Sequence, residues 1–152
     1  MRKNRTGAVK KLVYPVLLAT ALFTGFGNMP LYKRYYISAV PGLGWSSDFY
    51  VNLYIHYVCG ALLLALAVYC GIVYLKKRGA AGPLTATGTL RTLALGLSLM
   101  TGILLAVRNL SGITFTFAAQ ITVAFTHLTT AIVLLLATVG CRVLKRPWTR
   151  PF

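Results

Sequence analysis

The chain has 152 residues, of which 57% are hydrophobic and only 11% charged, with a mean hydropathy of +0.72. Soluble domains carry charge on about a quarter of their residues, so this composition excludes an ordinary soluble globular protein. The net charge of +15 comes from 16 Lys and Arg against one acidic residue, Asp48, and it lies in flanking clusters. With no separate basic domain, nucleic-acid binding is excluded as well.

Four apolar segments, at about 12–28, 49–75, 90–107 and 116–143, come close to or exceed the roughly 20 residues that cross a bilayer. The first follows basic residues as a signal peptide would. However, Phe26-Gly27-Asn28-Met29-Pro30 is a poor small-residue cleavage site, so an uncleaved span is expected. The second and fourth are long enough to tilt or to project beyond the bilayer. The expected fold is an all-α integral membrane four-helix bundle, up-down-up-down, forming one membrane domain over residues 1–152.

Thirteen of the basic residues fall in the N-terminal tail, around the connection between spans two and three, or at the C-terminal end. Only Lys33, Arg34 and Arg108 fall on the other side. The positive-inside rule then places both termini in the cytoplasm and 29–48 outside, in a multi-pass protein of the cytoplasmic (inner) membrane. The basic flanks should also attract anionic lipid headgroups.

The outer connection 29–48 carries Pro30, Pro41, Gly42 and Gly44 with Tyr32, Tyr35, Tyr36 and Trp45, suited to turns at a membrane–water interface. The inner connection 76–89 holds Gly79, Gly82, Pro83 and Gly88, a helix-breaking set. The connection 108–115 is short, so spans three and four should pair as a tight antiparallel hairpin. Each half of the chain repeats one order of features: Thr24-Gly25 then His56, and Thr101-Gly102 then His127. Thr-Gly is a common dipeptide in spans, so a true repeat and a coincidence both stand.

His56 and His127 are the residues that point to chemistry. Ionisable groups inside spans are costly and mark function by default. Counted from the span ends, the two lie about 10 and about 16 Å deep at ~1.5 Å per residue, both in the outer half. A proton relay would want carboxylates, which the spans lack. Zinc would want three or four ligands, and the outer half offers His56, His127 and Cys59. Haem iron needs two imidazoles. Gly60 and Ala131, each four residues from a histidine, and Gly25 and Gly102 leave room for a flat macrocycle. Small residues also let membrane helices pack closely, whatever they enclose. Cys59, Cys70 and Cys141 lie within spans and form no CxxC pair, so no disulfide framework is expected.

On Thr24-Gly25, His56-Tyr-Val-Cys-Gly60, Thr101-Gly102 and His127, the chain resembles the four-helix cytochrome b families. These include the membrane subunits of formate dehydrogenases and the four-helix core of the quinol-oxidising cytochromes b. The resemblance covers about residues 12–143. It implies a haem b held by His56 and His127 and electron transfer with a quinone pool or a partner subunit of a respiratory complex. The quinol-oxidising proteins carry a second histidine on each ligand helix about 13 or 14 residues further on, nearly four turns away. Here Cys70 and Cys141 stand in those places. One haem per chain is therefore expected, with the cysteines filling space or, alternatively, holding a thiolate-bound group.

Arg108, directly after span three, is a candidate partner of the haem propionates, or else a snorkelling arginine. Gln120 and Asn52 are candidates for a quinone carbonyl, or packing amides. Thr24, Thr101 and Thr130 are candidates to orient the imidazoles. Tyr54, Tyr57, Tyr69 and Tyr74 suit belt or packing positions. The expected role is an electron-transfer subunit rather than an enzyme in its own right. The alternative is a haem-free membrane anchor or assembly subunit of a larger complex.

Overall fold

The computed structural model describes residues 5–29, 36–76 and 82–149, with side chains from Leu12 onward. Lys33 and Arg34 lie outside the described residues. Four α-helices account for most of the chain: α1 (Arg5–Gly27), α2 (Phe49–Lys76), α3 (Ala86–Val107) and α4 (Phe117–Val143). Short 3-10 turns cover Ile37–Ala39 and Gly44–Ser47. Apart from one isolated bridge between Leu84 and Thr149, the described residues hold no β-structure.

α2, α3 and α4 are long and apolar enough to cross a membrane; the apolar part of α1, Leu12–Gly27, is shorter. The helices also present large apolar side chains outward, among them Leu62, Leu93, Phe125 and Leu136. Contiguous apolar surface of that kind suits lipid rather than water. On α2 the buried residues are Asn52, Cys59 and Leu63. On α4 they are Leu134 and Cys141, with His127 seven residues before Leu134. Seven residues is nearly two turns, so each set forms one inward stripe along its helix.

Helix ends follow local chemistry. Asp48 caps α2, its Oδ1 accepting from the backbone N–H groups of Tyr50 and Val51. Thr85 and Thr116 cap α3 and α4 through Oγ1, accepting from Gly88 and Ala119. The Thr85 cap starts α3 four residues earlier than hydropathy alone indicates. α4 ends in a paired motif: Arg146 N–H donates to the Cys141 carbonyl and Lys145 N–H to that of Arg142, with Lys145 left-handed at φ 49°.

The chain divides into two compact units, Met1–Tyr69 and Cys70–Phe152. Within the first, His56 meets Ala21, Thr24 and Gly25, while Asn52 meets Gly27. Within the second, α3 and α4 pass one another in opposite directions: His127 meets Ser98, Thr101 and Gly102, and Trp148, beyond α4, meets Gly88 and Thr92.

Candidate functional site

In the first unit, His56 Nδ1 lies 2.9 Å from the Ala21 carbonyl oxygen and 3.4 Å from Thr24 Oγ1. In the second, His127 Nδ1 lies 3.0 Å from the Ser98 carbonyl oxygen and 3.1 Å from Thr101 Oγ1. A carbonyl only accepts, so Nδ1 must be the donor in both rings. A neutral imidazole protonated at Nδ1 carries its lone pair on Nε2, the nitrogen then able to ligate a metal.

The carbonyl sits three residues before the threonine in both units: Ala21 before Thr24, Ser98 before Thr101. Each threonine hydroxyl in turn donates to the carbonyl four residues back, Thr20 at 2.8 Å and Leu97 at 2.7 Å. Its oxygen can therefore receive part of the Nδ1–H bond. A Cβ on Gly25 would stand 3.0 Å from His56 Cε1, and one on Gly102 would stand 3.2 Å from His127 Cε1. The threonine holds one side of the ring and the glycine gives it space, at the same offsets in both units.

Gly25 and Gly102 each leave space for the edge of an imidazole ring. A Cβ on Gly60 would meet nothing within 4 Å. Thr130 does not orient a ring: its hydroxyl donates to the Thr126 and His127 carbonyls of its own helix. Asn52 is fully buried against Gly27, with its amide NH2 donating to the Ser46 carbonyl. Gln120 Nε2 donates to the Phe115 carbonyl. Both amides thus fix main chain at helix starts. Arg108 is half-buried at the C-terminal end of α3, its N–H donating to the Leu104 carbonyl.

Cys59, Cys70 and Cys141 are free thiols. Among the described residues no three His, Cys, Asp or Glu side chains cluster, so a zinc-type site of three or four protein ligands is not built.

Arg91, one of the cations flanking the connection between spans two and three, is buried. Only 7% of Arg91 is exposed; its guanidinium donates to the Thr87 and Pro147 carbonyls and lies 4.2 Å over the Trp148 ring. Trp148 Nε1 donates to Thr92, and Thr85 N–H donates to the Trp148 carbonyl. Gly88 is needed here because any side chain would overlap that carbonyl. It sits inside the first turn of α3 rather than in a helix-breaking connection. An arginine and a tryptophan 57 residues apart carry no local signal of pairing.

No family model, curated protein or solved structure matches the chain.

Proposed function

We propose that the chain is a multi-pass b-type cytochrome subunit in which His56 and His127 ligate the iron of one haem through Nε2. The observation that carries this reading is the repeated ring environment, a carbonyl, a hydroxyl and a glycine converging at equal offsets on both histidines. Helix packing alone calls for small residues. It does not call for the same tautomer to be fixed twice. A hydrogen bond from the second ring nitrogen to a carbonyl orients a metal-binding imidazole and raises its basicity.

When bound, haem would supply a one-electron couple, and bis-imidazole ligation leaves the iron no open position for oxygen. The chain's own residues would do the rest. Ala21 and Ser98 hold the rings, Thr24 and Thr101 share the Nδ1–H bonds, and Gly25 and Gly102 admit the ring edges. Arg108 is the proposed partner of a propionate, by charge-assisted hydrogen bonding.

In this reading α1 is the fourth span, the order is up-down-up-down, and both termini face the cytoplasm in the inner membrane. The support is the 13-to-3 distribution of basic residues. One haem in the outer half cannot bridge a ~30 Å apolar core. Electrons would enter or leave through a quinone or a partner subunit of a respiratory complex.

An absorption spectrum of the purified protein, oxidised and then reduced, tests the reading. A low-spin b-type spectrum is expected, lost in His56→Ala and in His127→Ala while membrane insertion persists. A protein without haem, or a full spectrum in either variant, would sink it and leave a haem-free anchor.

A further inference from the structure

Arg91 presents an electrostatic problem that the described residues do not solve. Its guanidinium is buried, and the described residues form no ion pair with it. The only acidic side chain in the sequence, Asp48, caps α2. Two carbonyls and one aromatic face stabilise the cation, but they bring no opposite charge. Arg146, next to the Pro147 whose carbonyl holds Arg91, adds a second cation.

An open cleft of about 660 Å³ adjoins this cluster, between the start of α3 and the end of α4. Its polar end is formed by Thr85, Thr87 and Arg146 with Pro147, whose carbonyl holds Arg91. Its remaining wall is apolar, including Leu90, Ala137 and Leu144. A cation, Arg146, at the end of an apolar trough matches the polarity of an amphiphile with a negative head.

We propose that this cleft binds one anionic phospholipid, the phosphate against Arg146 and an acyl chain along the apolar wall. A phosphodiester there supplies the charge that Arg91 lacks, by charge-assisted hydrogen bonding to Arg146 and at longer range to Arg91. A zwitterionic lipid brings no net charge and gains no such preference. The site does not depend on haem.

Trp148 reports on the site directly, because it adjoins Pro147 and stacks on Arg91. The full chain carrying Trp45→Phe is reconstituted into nanodiscs of phosphatidylcholine mixed with phosphatidylglycerol, with bromine on the acyl chains of one lipid or the other. Preference for the anionic lipid at Trp148 should be about fivefold, the effect of one basic residue beside an anionic headgroup. Arg146→Gln, at an exposed position, should abolish the preference. Gly140→Leu should also abolish it, since a side chain there meets no neighbour within 4 Å and would occupy the trough. Equal quenching by the two lipids, or a preference that survives both substitutions, overturns the proposal. Loss of the preference on adding inorganic phosphate would overturn it too, in favour of a soluble anion.

Discussion

His127 Nδ1 donates to the Ser98 carbonyl at 3.0 Å, and Ser98 stands three residues before Thr101 on α3. His56 repeats the relation with Ala21 and Thr24 on α1. The acceptors are main-chain atoms, so serine in one unit and alanine in the other do the same work. What the sequence must supply is the Thr-Gly pair that follows, since the threonine hydroxyl and the missing Cβ of glycine set how the ring reaches the carbonyl.

The glycines are the sharper of the two requirements. Gly25→Ala would place a Cβ 3.0 Å from His56 Cε1, so the ring or the helix must move. Overpacking of this kind costs about 1–3 kcal/mol. At Gly102 the added atom stands 3.2 Å from His127, a milder conflict. Gly96→Ala on α3 meets nothing within 4 Å and is the control, expected neutral or stabilising by about 0.5–1 kcal/mol. Haem content and thermal midpoint should fall most for Gly25→Ala, less for Gly102→Ala and not at all for Gly96→Ala. Equal behaviour of all three would contradict the assigned role.

The threonines should tune rather than decide. Valine keeps the shape and removes the hydroxyl, while the main-chain carbonyl still holds each ring. Thr101→Val loses the 3.1 Å contact to His127 and should weaken haem retention by about 1 kcal/mol. Thr24→Val loses a longer 3.4 Å contact and should do less. Thermal release of haem, followed by absorbance, orders the variants. Complete loss of haem in Thr101→Val would show that the carbonyl does not hold the ring by itself.

Much of the helix layout was legible because spans announce themselves by apolar length. The Thr-Gly dipeptides and the histidines were visible too. The Ala21 and Ser98 carbonyls were not, since a main-chain hydrogen-bond acceptor leaves no mark in side-chain identity. Thr130 misled for a related reason: its place beside His127 on the helix face allowed contact with the ring, but its hydroxyl turned to its own helix. The burial of Arg91 was not legible because a cation near a span end ordinarily reaches water, whereas here the chain after α4 folds back and covers it.

Topology can be read by labelling from one side, and the fold decides which residue to use. Ser46 is fully buried and donates to the Leu43 carbonyl, so a thiol there would be shielded. Ser47 is exposed in the same turn. In a variant lacking the native cysteines, Ser47→Cys should react with an impermeant maleimide added to intact cells. Reaction only after the cytoplasmic side is opened would invert the orientation set by the basic flanks.

The haem count is the remaining prediction. Cys141 shares a stripe with His127 and Leu134 at seven-residue spacing, and Leu134 between them is only 2% exposed. Cys141 is itself buried, and its carbonyl closes the end of α4 by accepting from Arg146 N–H. Cys70, the corresponding place on α2, is half-buried. Neither place offers an imidazole, so a neutral bis-nitrogen site cannot form there. A thiolate would add negative charge to a low-dielectric region, which needs compensation. The nearest cation in sequence, Arg142, is exposed. Haem iron measured against protein should therefore give one per chain, unchanged in Cys70→Ala and Cys141→Ala. Two haems per chain would refute this, and loss of the second in either variant would then identify a thiolate ligand.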